Sequence, residues 1–198
     1  IKNNDIDKIV STLYENDKVL GAAPYIETQG LISSGSSLKG VYIFGIDPVL
    51  ETSISMVSDQ IIDGSWKSLS EEGYNLLMGD ILAMQLSLRV GDKVNVLVPD
   101  TNLGLAGILP RTRQFTVTGV FSLGAPEMDE SFIFLNIKNS SKLLRMNNSV
   151  HGIRVRYEDL FLAPVQIHKD LFNIQNYLNL DLEASNWTQS YGTLFKAI

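Results

Sequence analysis

Residues 90–98 read Val90-Gly91-Asp92-Lys93-Val94-Asn95-Val96-Leu97-Val98, and residues 99–110 read Pro99-Asp100-Thr101-Asn102-Leu103-Gly104-Leu105-Ala106-Gly107-Ile108-Leu109-Pro110. Arg111-Thr112-Arg113 then leads into Gln114-Phe115-Thr116-Val117-Thr118-Gly119-Val120-Phe121. Gly91 and Asp92 make a turn that launches a strand over 94–98. Period-two alternation makes a second strand of 114–121, with Phe115, Val117 and Phe121 expected on one face. The connection is unlike a hairpin loop, which is usually shorter and more polar. Five of its ten residues between the prolines are apolar, and only Asp100 is charged. Proline fixes φ and offers no ladder donor, so one at each base holds the segment off the sheet. Two readings fit it. Leu103, Leu105, Ile108 and Leu109 fold back over the core, or they project as a docking arm whose charged rim is Arg111 and Arg113.

Outward from this block, Gly79 to Leu88 has helical spacing and Ser131 to Ile137 reads as a third strand. Glu127, Asp129 and Glu130 lie in the Gly/Pro-containing connection before it and read as a solvated turn. Toward the N-terminus, Ile6, Ile9, Val10 and Leu13 make 5–16 an amphipathic helix, capped by Asn4 or Asp5 and expected to lie on a sheet. Pro24 to Ile32 and Val41 to Ile46 form a hairpin about a polar turn at 33–37, and 49–58 reads as a short helix after the Asp47-Pro48 break. Residues 59–73, with Gly64, Gly73 and many serines, mark a subdomain crossing. Toward the C-terminus we expect a short helix at Leu143-Leu144, a strand over 152–157, a helix over 163–178 and a last strand near Leu182 to Trp187. This order predicts an α+β layer, 1–68 and 148–198, interrupted by a β-rich block, 69–147.

The 198 residues are 44% hydrophobic and 19% charged, with Gly and Pro together 21, the balance of an ordinary folded domain. No apolar run nears the roughly 18 residues of a spanning helix. A formal charge of −6 makes nucleic acid a poor partner. The chain has no cysteine, which removes disulfides, thiolate nucleophiles and thiolate metal sites. No phosphate loop, G-x-G-x-x-G or G-x-S-x-G motif occurs, and His151 and His168 fall on different elements as surface or packing residues. No enzyme, no cofactor and no metal are therefore expected. The chain opens at Ile1 and stops within an apolar pattern at Leu194-Phe195-Lys196-Ala197-Ile198, as a piece of a longer protein would.

Met78-Gly79-Asp80-Ile81-Leu82-Ala83, Val90-Gly91-Asp92-Lys93-Val94, Val98-Pro99 and the run from Gly107 to Gly119 resemble the periplasmic domain of LolC/LolE-family lipoprotein-releasing transmembrane subunits. His151-Gly152-Ile153-Arg154, Tyr157 to Phe161 with Ala163, Trp187-Thr188, Tyr191-Gly192, Leu194-Phe195 and Ala197-Ile198 extend the resemblance in order over nearly the whole chain. It implies a MacB-like periplasmic domain, a porter-like subdomain with an inserted β-rich, Sabre-like one, at the periplasmic face of the bacterial inner membrane. It also implies the partners of that system: the carrier LolA, a paralogous LolC or LolE subunit, the ATP-binding subunit LolD, lipoprotein substrate, and the membrane through flanking helices. In the LolC type the proline-bounded arm, here Pro99 to Pro110, is the hook that engages LolA, and Thr112 and Arg113 fall at positions of a polar pad. Two positions depart from that pattern: Asn95 stands where a base is expected, and Thr112 where an amide is. The alternatives are a LolE-type paralogue without carrier recruitment and a MacB-class efflux subunit docking an adaptor. A hydrolase or metal-binding domain is disfavoured by the missing chemistry.

Overall fold

A computed structural model describes residues 1–99 and 110–186. The chain begins with α1 (Asn3–Leu13), then the hairpin β1 (Val19–Ser34) and β2 (Ser37–Ile46). Two short 3-10 turns, Leu50–Ser53 and Val57–Gln60, lead into β3 (Ile61–Gly64), and a third, Trp66–Ser70, precedes β4 (Asn75–Gly79). The elements α2 (Asp80–Gln85), β5 (Lys93–Val98), β6 (Arg111–Phe121), α3 (Pro126–Asp129) and β7 (Phe132–Asn136) follow. The last are α4 (Ile137–Leu144), β8 (Gly152–Tyr157) and α5 (Ala163–Leu178). Among the described residues no helix is long and apolar enough to cross a membrane.

Seven of the strands run in one sheet in the order β2-β7-β4-β6-β5-β1-β8, β3 pairs with β6 off this path, and β1 also pairs with β2. That extra pairing closes a six-stranded barrel. Its interior takes inward residues from every strand, among them Ile32, Ile43, Ile133, Leu76, Val117 and Val96, all buried. Leu82 of α2 and Leu86 at its C-cap join the same core. Gly35, at a left-handed φ of +57°, makes the two-residue hairpin loop that sets the β1–β2 register.

A register shift between β4 and β6 explains a core face that simple alternation misses. Leu76 opposes Val117 but Leu77 opposes Gly119, so Thr118 is an extra residue on β6. The bulge reverses the phase beyond it. Phe121 therefore leaves the face of Phe115 and Val117 and packs outside the barrel with Leu77, Phe134 and Ile46.

The first and last described elements meet in a second layer. The first half of β1 pairs with β8 over 19–25, and α1 and α5 cover this part through Ile9, Leu13, Ala22 and Ile174. Asp170 ties α5 to β8 and to the α1–β1 connection: it accepts from Tyr157 Oη at 2.6 Å and from Asn16 Nδ2 at 3.1 Å. Burial, and then the adjoining Asp170 carboxylate, pushes the Tyr157 phenol above its usual range. The sheet runs without a break across residue 68, because β1 and β2 belong to the barrel and β1 also to this layer.

Several local expectations are corrected. The N-cap of α1 is Lys2, whose side chain makes no capping bond, because a bridge from Lys2 to Ser149 fixes where the helix starts. The 49–58 helix is the pair of 3-10 turns, with Asp47 Oδ1 accepting from Val49 and Leu50 N–H. Residues 181–186 form no strand: the Leu182 carbonyl accepts from Gln175 of α5, and the Leu182 side chain packs with Ile9 and Leu13. Trp187 lies outside the described residues. Asp129 is not solvated but 2% exposed, its carboxylate accepting from Leu123 N–H at 2.8 Å and Ala125 N–H at 3.1 Å.

Two stability predictions follow from these buried acids. Asp129→Ala strands two backbone donors and should cost about 2 kcal/mol, read as a lower urea midpoint. Glu51 is fully buried beside Arg154, whose Nη2 lies 2.7 Å from its Oε2. Burial outweighs that cation and holds its carboxyl above the usual 4.5. The folded state thus keeps the proton to higher pH than the unfolded chain, so this group removes stability as pH rises from 4.5 to the folded value. Over that window the wild type should lose stability relative to Glu51→Gln, and above it the gap should stay constant. Parallel curves in pH-dependent urea unfolding would refute this.

Candidate functional site

The β5–β6 ladder ends at the pair Val98–Arg111, which brings the exposed Pro99 and Pro110 together at the barrel rim. Neither proline has an N–H to extend the ladder. Leu103, Leu105, Ile108 and Leu109 lie outside the described residues, so the site is built from the base that carries them.

Strand alternation splits this base into two sides. Arg111 and Arg113 share the parity of Phe115 and Val117 and so continue the row that lines the barrel. A recess of about 360 Å³ on this side is lined by Pro110, Arg111, Thr112, Arg113, Lys142, Leu143 and Arg145. Arg111 Nη1 donates to the Leu144 carbonyl at 2.6 Å, tying the strand to the end of α4. Arg113 lays its guanidinium 4.5 Å from the centre of the Tyr74 ring, and Tyr74 meets Phe115 edge-on at 5.4 Å. That stack presets the direction of the arginine. Arg145 ends α4 in the left-handed conformation, φ 55°, and is exposed.

The other side is apolar. Gln29, Gly30, Leu31, Leu97, Val98, Pro99 and Pro110 line a recess of about 370 Å³. Leu31 and Leu97 are cross-strand partners, and Leu31, an apolar residue on the outer face, is 41% exposed. Thr112 opposes Leu97, and Asn95 opposes both Ser33 and Gln114, so these polar residues share that outer face. The structure therefore unites Pro99, Pro110, Arg111 and Arg113 at one rim; Thr112 has the opposite parity to Arg113 on β6 and pairs with Leu97, though it also borders the cationic recess.

Gln29, Leu31, Lys142 and Arg145 were not foreseen. An apolar residue at an outward position is the signal that marks Leu31; Lys142 and Arg145 carry none, because only the approach of α4 to β6 assembles them with the arginines. The histidines are separate: His151 Nδ1 accepts from Glu27 N–H at 3.1 Å, and His168 is exposed on α5. Among the described residues no group of three or more His, Asp or Glu side chains is placed to hold a metal ion.

No protein-family model matches the chain. It is 33% identical over 195 residues to the lipoprotein-releasing system transmembrane protein LolC of Xylella fastidiosa, covering 98% of this chain and 46% of that protein. With LolC of Neisseria meningitidis serogroup B it shares 31% over 200 residues, 100% of this chain and 48% of that one. LolE of Haemophilus influenzae is 24% identical over 94% of this chain and 44% of its own length. The chain thus spans about half the length of these curated relatives. Among solved structures it superposes on the extracellular domain of the ABC-type transporter YknZ from Gram-positive bacteria with a TM-score of 0.62 at 12% identity, covering 91% of this chain and 86% of that one. The periplasmic region of MacB from Actinobacillus actinomycetemcomitans gives 0.56 at 12% identity, with 86% and 73% covered. At such identities the likeness is one of fold: the architecture is that of MacB- and YknZ-type transporter domains outside the membrane.

The rim at Val98 and Arg111 depends on a close approach that only glycine permits. A Cβ on Gly30 would lie 2.5 Å from the Leu97 carbonyl oxygen and 2.7 Å from Ile43 Cδ1. Gly30→Val should therefore push β1 from β5 and destabilise the domain by about 1–3 kcal/mol. Urea unfolding and the amide resonances of Leu97 and Arg111 report both effects, and an unmoved midpoint would contradict the contact.

Proposed function

We propose that this chain, which belongs to the LolC/LolE family of lipoprotein-releasing transmembrane proteins, is the periplasmic domain through which such a membrane subunit docks the lipoprotein carrier LolA. The subunit would act at the periplasmic face of the inner membrane. It would work with a paralogous LolC or LolE subunit and the ATP-binding subunit LolD, passing lipoprotein from the membrane to the carrier. In this reading the work of ATP is done outside this domain, and the domain itself is a docking and transmission element rather than an enzyme. The layer of α1, β8 and α5 answers to the porter-like subdomain and the block 69–147 to the inserted one, with β1 shared between them and β2 completing the barrel.

The observation that carries the docking role is the pairing of an apolar, proline-bounded ten-residue segment with a base that is apolar on one side and cationic on the other. A carrier of lipid-modified proteins must hold acyl chains in an apolar cavity, so leucines on a loop suit the border of its mouth. Each buried leucine or isoleucine contributes about 2 kcal/mol, and the arginines act mainly on encounter and orientation. The fold alone would serve a MacB-class subunit docking an adaptor equally well. Identity above 30% to LolC proteins over nearly the whole chain favours the lipoprotein system.

Replacing Leu103, Leu105, Ile108 and Leu109 together by serine should lower affinity for LolA by at least about a thousandfold with an unchanged circular dichroism melt. An unfolded variant would make the segment part of the core. A folded variant that binds LolA as well as the wild type would end the docking reading.

A further inference from the structure

We propose that Lys142 and Arg145, at the C-terminal end of α4, join Arg111 and Arg113 in one cationic recess that seats an acidic segment of the protein partner, its aspartate and glutamate side chains. The proposal rests on the docking reading above and extends the contact to an element well outside the arm.

Charge distribution is the first argument. The chain carries 22 acidic against 16 basic residues, yet four of the seven residues lining this recess are cationic and no acidic one lines it among the described residues. An anionic partner complements this local concentration of positive charge. Construction is the second. The cations come from two elements about thirty residues apart in sequence, and the 2.6 Å bond from Arg111 to the Leu144 carbonyl holds those elements together. Arg113 is further oriented by Tyr74. Arg111 and Arg113 therefore need little ordering when a partner arrives, which favours affinity.

Size and setting select the occupant. A recess of about 360 Å³ admits a few side chains. An extended polyanion or an anionic bilayer also meets the rest of a domain whose net charge is −6. Within a Debye length of about 8 Å, a short acidic segment feels chiefly the four cations. Pro110 lines both this recess and the apolar one, so a protein seated on the apolar side of the arm base reaches the cations without a gap.

Lys142 and Arg145 are exposed, so the double variant Lys142→Glu/Arg145→Glu should fold normally, as its circular dichroism melt would verify. Its association rate with LolA should fall at least about tenfold at low salt, the difference shrinking at high salt, and Lys142→Arg/Arg145→Lys should restore it. Equal rates for wild type and double variant at low salt would overturn the recess while leaving arm docking intact. If the arm serine variant still binds LolA, the docking reading fails, and titration with a glutamate-rich peptide decides the recess alone. Salt-sensitive peptide binding lost in the double variant supports it, and binding that is absent or unchanged overturns it. Co-sedimentation with phosphatidylglycerol vesicles that the double variant loses would assign the recess to a membrane surface and overturn the proposal.

Discussion

Everything in this domain hangs on the sharing of one strand. β1 is sixteen residues long, roughly 50 Å of extended chain, and strands usually run to five or six residues. It hydrogen-bonds to β2 along the hairpin, to β5 near its end and to β8 near its start. The first two pairings close the barrel and the third builds the layer under α1 and α5. A one-residue slip of β1 would turn its core side chains outward in both parts at once, so its register is fixed doubly. Small residues make the sharing possible: Gly21 passes within 2.6 Å of Ser53 where a Cβ would stand, and Ala22 and Ala23 are fully buried.

The character of the rim follows from that closure. In a closed barrel each strand has one face inside, and at the mouth the inward row runs out of core to touch. On β6 the row passes from Val117 and Phe115 to Arg113 and Arg111, from buried apolar to half-buried or exposed cationic. On the outer face the same few residues are apolar and polar neutral, Leu97 and Leu31 beside Thr112 and Asn95. A two-sided base is therefore a product of pleat and closure, with no special loop geometry required.

What was legible in the sequence is what short-range periodicity encodes. The hairpin, β5, β6, β7, β8 and the bounds of α5 could all be read, because each buries one face and repeats accordingly. Residues 19–23 were missed as strand since Gly21, Ala22 and Ala23 have weak β preference, and close packing overrides it. Phe121 was placed on the wrong face because nothing around Thr118 announces a bulge. Asp129 looked solvated in its Gly/Pro-rich connection, although its carboxylate organises that connection from within. Lys142 and Arg145 were beyond reach for another reason: the partnership of α4 with β6 is non-local, and surface cations have no period. The apolar segment itself stood out by composition, and its two prolines located the rim.

The placement of Pro99 and Pro110 has a mechanical meaning. They sit on antiparallel neighbours at the same end of the ladder, so tension applied to both would draw β5 and β6 lengthwise in a common direction. Their other neighbours are β1 beside β5, and β4 and β3 beside β6. Because inter-strand hydrogen bonds lie across the strands, such tension meets them in shear, several at a time, instead of peeling them singly. The rim is thus a stiff anchorage, and a load taken there passes through β1 into the layer built with α1, β8 and α5.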